Sequence, residues 1–250
     1  MVLAYGSMED VELALGGRPL STMEHLWYTH TVSITDATIY SFTIVVLFAV
    51  LHVVGFSNFL LPRLFPSFFL PSKIQPHTHI TLTSILYIYF SIFLIYGLLI
   101  TPLLLHSYPL FKVHTCTFGY MVFNSLISLY YFLTQVFVLI LQLIGIRMDL
   151  SLPSLGEIIA QNLVYFLIQD YMTYWFHRWY HTDWAYKLFH HVHHEYSSPE
   201  SFTSIYAHPL EVLFGFVPAL VGVFIVPPHI ITFWIWIAIN HLHAFEIHSG

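Results

Sequence analysis

The sequence predicts an all-α, polytopic membrane protein, and three observations predict it. Of 250 residues, 57% are hydrophobic and only 8% are charged, with a mean hydropathy of +0.73, whereas roughly a quarter of the residues of a soluble domain are charged. Three charge-free stretches each exceed the ~20 residues that cross ~30 Å of hydrocarbon as a helix. In a water-free core a helix satisfies its own backbone, which makes it the default spanning element. The net charge of −6 supplies no basic footprint for nucleic acid. A single cysteine, Cys116, excludes an intrachain disulfide framework and a Cys-based zinc site.

The elements follow in order. Residues 1–36 form a mixed, weakly acidic segment (Glu9, Asp10, Glu12, Glu24) without the pattern of a cleavable signal peptide. Residues 37–146 hold the charge-free runs Ala37 to Leu61, Thr83 to Leu105 and Phe118 to Ile146, read as three transmembrane helices. Pro62 to Pro76, with four prolines, reads as an extended loop. Residues 147–250 form the third region. A fourth helix is expected from Glu157 to His181, apolar at first and then interfacial at Tyr174-Trp175-Phe176-His177-Arg178. Val212 to Ile239 is apolar but interrupted by Pro218, Pro227 and Pro228, which predicts a re-entrant hairpin or a broken helix pair. Basic residues are spread too evenly over the loops for the positive-inside rule to orient the chain. If all four helices span, the loop Pro62 to Leu82 and the end of the fourth helix lie on opposite sides.

Histidine is the unusual residue. There are 18, and eleven fall between His177 and His248. His177 and His181, four apart on a helix, share a face, and the same face extended backwards carries Tyr174 and Asp170. The run His190-His191-Val192-His193-His194 would present His190, His193 and His194 together on a helix. Imidazole binds iron, copper, zinc and nickel, and neutral ligands avoid placing several carboxylates next to hydrocarbon. H-x-x-x-H followed by H-x-x-H-H is therefore read as a site for one or two metal ions. Asp170, Glu195 and Glu211 are candidates to accept the distal N–H of a ligating His and fix its tautomer. Isolated histidines such as His52, His106 and His229 are read as packed or interfacial residues. Trp175, Trp179, Tyr180, Trp184 and Tyr186 are read as an interfacial aromatic belt.

The pattern Asp170-x-x-x-Tyr174-Trp175-x-His177-Arg178-x-x-His181, then His190-x-x-His193-His194, then Ala207-His208-Pro209-x-Glu211, resembles the fatty acid hydroxylase/sterol desaturase superfamily. Ile168-Gln169-Asp170-Tyr171, His193-His194-Glu195-Tyr196 and Phe245 to Gly250 narrow the resemblance to plant-type sterol C-4 methyl oxidases. That resemblance implies a multi-pass protein of the endoplasmic reticulum with a His-rich di-iron centre at the cytosolic membrane face. It implies oxidation of a sterol 4-methyl group with O₂ and electrons from NADH through cytochrome b5 and its reductase. By matching positions it implies His177, His181, His190, His193, His194 and His248 as iron ligands. Asp170, Tyr174, Glu195, His208 and Glu211 are implied as residues that support them.

Two departures accompany the resemblance. It implies a third H-x-x-H-H group beyond Ser249-Gly250, and the chain stops at Gly250, so a C-terminally truncated and inactive chain is expected. Between Gln75 and Ile140 this chain is longer and less charged than the pattern implies, which predicts an insertion within residues 77–130. The alternatives are another superfamily activity (sterol desaturase, fatty acid hydroxylase or aldehyde decarbonylase), an inactive truncated chain, or a bis-His heme b protein. The last is disfavoured because the histidines cluster at helix ends.

Overall fold

The computed structural model describes residues 7–32, 36–69, 71, 81, 83–88, 90, 143–196, 203–204 and 206–248. Among them every regular element is helical: α1 (Met8–Ala14), α2 (Thr22–Thr31), α3 (Asp36–Leu64), α4 (Pro66–Phe69), α5 (Leu155–Tyr180), α6 (Asp183–Leu188), a 3-10 turn (His190–Glu195), α7 (Pro209–Ile225) and α8 (Ile230–Ile247).

Side-chain caps fix where these helices begin. Ser21 and Glu24 close a capping box on α2, and Arg18 clamps the Glu24 carboxylate at 2.6 and 2.9 Å. Hydrogen bonds from Arg18, together with those from Ser21, hold the Glu24 carboxyl down at about 2 despite its burial. Ser154 caps α5 by accepting from the Glu157 amide at 3.2 Å. The two apolar helices both start on a histidine, whose Nδ1 accepts an amide two residues on: His208 from Leu210 for α7, and His229 from Ile231 for α8, each at 3.2 Å.

Helix α5 packs most extensively on α7, while α8 packs on α3 and α5. Contact with α7 is close because residue 222 is glycine: a Cβ there would sit 2.9 Å from Tyr165 Cδ1 and 3.1 Å from its Cα. Tyr165 donates its hydroxyl to the Val226 carbonyl, and Trp236 Nε1 donates to the Ala219 carbonyl at 2.9 Å. Around these bonds lie the buried Ile144, Ile146, Met148, Val223, Ile230 and Phe233. Gln169 and Asn240 exchange amide hydrogen bonds between α5 and α8, the interhelical polar pairing an apolar bundle tolerates.

The bundle has two ends. At one, Arg147 pairs backbone bonds with Pro228 (3.0 Å) and Ile230 (2.8 Å), its side chain meets Glu157 at 2.9 Å, and Trp27 of α2 packs on His229. At the other lie the C-termini of α5 and α8 and the N-terminus of α7. From Glu157 to His177 is about 30 Å along α5 at 1.5 Å per residue.

Several sequence expectations are refined. The first span continues through Pro62 to Leu64, and Pro66–Phe69 is helical, so the loop expected from Pro62 begins later. Pro62 lies in the last turn, so the hydrogen bond its missing N–H forfeits has little helix beyond it to interrupt. The fourth helix runs Leu155–Tyr180, and the broken pair is α7 and α8, divided at Pro227-Pro228; Pro218 does not interrupt α7. The second and third spans, and the expected insertion, fall mostly outside the described residues. By length and composition Ile230–Ile247 is the helix among the described residues that could cross a membrane. The Tyr87 ring lies 6.2 Å from that of Tyr206, at the His end; most of the loop Pro62 to Leu82 lies outside the described residues.

Candidate metal centre

Three elements bring the imidazoles together. The last turn of α5 carries His177 and His181, which share a face because they are four apart. Thr182 and Asp183 then turn the chain, and α6 carries it to Phe189, fully buried against Tyr180. Phe189 anchors the 3-10 turn, which presents His190, His193 and His194; a 3-10 turn, not an α-helix, holds them. The C-terminus of α8 delivers His248.

One ligand-type nitrogen from each of His177, His181, His190 and His194 lies within 4.8 Å of the others. His177 Nε2 faces His181 Nε2 at 3.1 Å, and His190 Nε2 faces His194 Nε2 at 3.0 Å. The His190 ring stands perpendicular to that of His177, with centroids 5.0 Å apart. This is a converging nitrogen set rather than an aromatic stack.

A second convergence is electronically sharper. His193 Nδ1 lies 3.1 Å from the Tyr206 carbonyl, and His248 Nδ1 lies 2.8 Å from the Ala244 carbonyl. A carbonyl only accepts, so both Nδ1 atoms carry the hydrogen. In the neutral rings both Nε2 atoms are then bare lone pairs, and they face each other at 3.2 Å. Two lone pairs at that distance repel unless a cation sits between them. His190, His193 and His194 are kept neutral: burial, then the neighbouring imidazoles, pushes His190 down to about 3 and lowers His194. Burial takes His193 down to about 4, although its bond to Tyr206 opposes this. Neutral imidazoles with converging lone pairs, with no thiolate among the described residues, fit a borderline transition metal such as iron.

The supporting residues divide. Glu211 reaches the site, with Oε1 2.9 Å from His190 Nδ1, approaching off the N–H axis of a well-aligned hydrogen bond. Glu195 instead accepts from the Tyr206 hydroxyl at 2.7 Å, bracing the residue whose carbonyl holds His193. His208 caps α7. Tyr174 accepts from Arg178 at 3.2 Å. Asp170 is exposed, two turns before His177, and none of its hydrogen bonds described here reaches an imidazole. The shared face drifts around the helix, and only the last turn of α5 meets the 3-10 turn. His191 points away, to the Tyr186 carbonyl.

The aromatic belt divides as well. Trp175 and Trp184 are exposed, but Tyr180 is buried beside His190, and Tyr186 stacks on His181. Sequence reasoning missed the Tyr206 and Ala244 carbonyls, because a backbone acceptor has no residue signature.

Comparison with known proteins adds the following. The fatty acid hydroxylase family model matches residues 162–250. The chain is 35% identical over 249 residues to the very-long-chain aldehyde decarbonylase GL1-10 of Oryza sativa subsp. japonica, covering 100% of this chain and 72% of that protein. It is 34% identical over 249 residues to methylsterol monooxygenase 1-3 of Arabidopsis thaliana, covering 100% of this chain and 74% of the relative. Over 106 residues the identity to methylsterol monooxygenase 2-2 of Arabidopsis thaliana is 46%, covering 42% of this chain and 40% of that protein. No solved structure matches.

Proposed function

From the premise that the chain belongs to the fatty acid hydroxylase family, we propose that it is a multi-pass membrane oxygenase with non-heme iron held by His177, His181, His190 and His194 at one position and by His193 and His248 at a second. The proposed reaction is oxidation of a sterol 4-methyl group. The observation that carries the metal reading is the pair of committed Nδ1–H tautomers that leaves the His193 and His248 lone pairs face to face. Bound iron would supply activation of O₂ for attack on an unreactive C–H bond.

The chain's own residues would do the remaining work. Glu211 would accept the His190 Nδ1–H and keep its Nε2 lone pair toward the metal. Tyr206, braced by Glu195, would do the same for His193. Leu155, Ile159, Leu163, Leu167 and Tyr171 form an outward stripe on α5, 57–73% exposed. An apolar stripe of that length supports lipid contact. With exposed Trp175 and Trp184 near the imidazoles, it supports a site opening at a membrane face, where a sterol arrives without crossing water. We place the protein in the endoplasmic reticulum, with the site facing the cytosol and electrons from NADH arriving through cytochrome b5 and its reductase, as the resemblance implies.

A second reading has its own support: the rice relative is named as an aldehyde decarbonylase at the same level of identity. The test is product analysis by mass spectrometry. Purified protein with iron, a reducing system and O₂ is given a 4,4-dimethylsterol or a long-chain aldehyde. Oxygenated sterol supports the first reading, and a shortened hydrocarbon supports the second. Neither product, in a preparation that holds iron, sinks both.

A further inference from the structure

Seven buried side-chain polar atoms lack a hydrogen-bond partner among the described residues, and three of them cluster about a single ring: His190 Nδ1, Glu211 Oε2 and the Tyr180 hydroxyl. Buried polar groups are normally paired, so this concentration needs a cause. Tyr180 is 6% exposed, its ring centroid 5.2 Å from that of His190, and Phe189 covers its other flank at 5.3 Å. In such an aromatic pocket phenylalanine would fit and would bury no hydroxyl. Glu211 Oε1 stands 2.9 Å from Nδ1 of the same His190 ring that Tyr180 lies against.

We propose that Tyr180 is a positioning residue of the metal centre: its hydroxyl donates to Glu211 Oε2, directly or through one water, so that Glu211 Oε1 aligns on the His190 Nδ1–H. This inference rests on the metal reading above. Donors and acceptors then balance. The phenol O–H and the imidazole N–H are two donors, the carboxylate oxygens are two acceptors, and none of the three atoms is left over. A metal on His190 Nε2 polarises the ring and strengthens the Nδ1–H···carboxylate bond. Metal held by His190 would therefore favour the aligned arrangement of the three groups. Tyr180 touches neither metal nor substrate; it acts through Glu211.

The test is Co²⁺ titration of the whole chain in detergent, followed by the d–d bands of nitrogen-ligated cobalt, for wild type, Tyr180→Phe, Glu211→Gln and the double variant, with a melting curve of each metal-free protein. The expected result is about tenfold weaker Co²⁺ binding in Tyr180→Phe. Its metal-free melting temperature should be unchanged, because phenylalanine keeps the ring packing against Phe189 and His190. In the Glu211→Gln background the same substitution should change affinity little. Equal Co²⁺ affinity in wild type and Tyr180→Phe overturns the inference and leaves the metal centre standing. A parallel fall in affinity and metal-free stability assigns Tyr180 to packing and also overturns it. If wild type shows no nitrogen-ligated cobalt, the metal reading fails and the inference falls with it.

Discussion

The two ends of the bundle use buried histidine in opposite ways. At the Arg147 end, His229 is fully buried and complete: Nδ1 accepts the Ile231 amide at 3.2 Å, and Nε2 donates to the Asp149 carbonyl at 3.1 Å. One neutral tautomer uses both nitrogens, and Trp27 closes over the ring. At the other end the nitrogens point at one another, and the hydrogen bonds that exist, to Tyr206 and Ala244, turn lone pairs inward. His190 is as fully buried as His229, whereas His177, His181 and His194 are exposed; what differs between the two buried rings is whether the second nitrogen finds a protein partner. His229 is satisfied by backbone acceptor and donor alike, whereas His193 and His248 each bond backbone through Nδ1 and face each other through Nε2.

The sharpest way to break this comparison is to remove one histidine from each end. His190→Ala should lower metal affinity by more than a hundredfold and abolish turnover, read by elemental analysis and product formation, while metal-free stability falls modestly. His229→Ala should leave metal stoichiometry at wild type but cost about 2–4 kcal/mol of stability, since it removes a helix cap and strands buried partners. If His229→Ala lost metal as His190→Ala does, the two ends would not be separable.

Next in size is the packing that joins the ends. Gly222→Ala should cost about 1–3 kcal/mol, because the new Cβ meets the Tyr165 backbone, which cannot swing aside. Thermal melting against Gly215→Ala, where nothing lies within 4 Å, isolates the clash from glycine's backbone effect.

Acid should distinguish the ends by where each begins to weaken. His190 and His193 are held below the ordinary histidine value, so the unfolded chain binds their protons first. Their contribution is full above about pH 6.5 and is lost as pH falls toward 4 and then 3. The Glu24 carboxyl at about 2 contributes fully above about 4.5 and loses its contribution only as pH falls from there to 2. The metal-free melting temperature should therefore decline between pH 6.5 and 4.5 in wild type, and less in a His190→Ala, His193→Ala variant. The smallest effect is expected at Arg147→Ala. Its contact to Glu157 joins two partly exposed side chains, 40% and 37% accessible, and such pairs contribute about 0–1 kcal/mol.

Much of this was legible in the sequence, for identifiable reasons. The break between α7 and α8 showed itself because two consecutive prolines cannot continue a helix. The pairing of His177 with His181 followed from helical periodicity. Asp170 and Tyr174 show what periodicity leaves open: it tells which residues share a face but not how far along the helix a partner covers it. Tyr180 misled: between Trp179 and Trp184 it looks like a surface aromatic, and only Phe189 folding back over it makes it interior. The 3-10 turn carried no propensity signal beyond the histidines it presents.

The spacing of the two nitrogen sets along the chain has a consequence for how the molecule is made. The four-His set is complete within residues 177–194, so a growing chain possesses it before α7 and α8 have been synthesised. The His193–His248 pair joins positions 55 residues apart and exists only once α8 has folded back across the bundle. The first set is thus local in sequence, while the second depends on the docking of the α7–α8 hairpin.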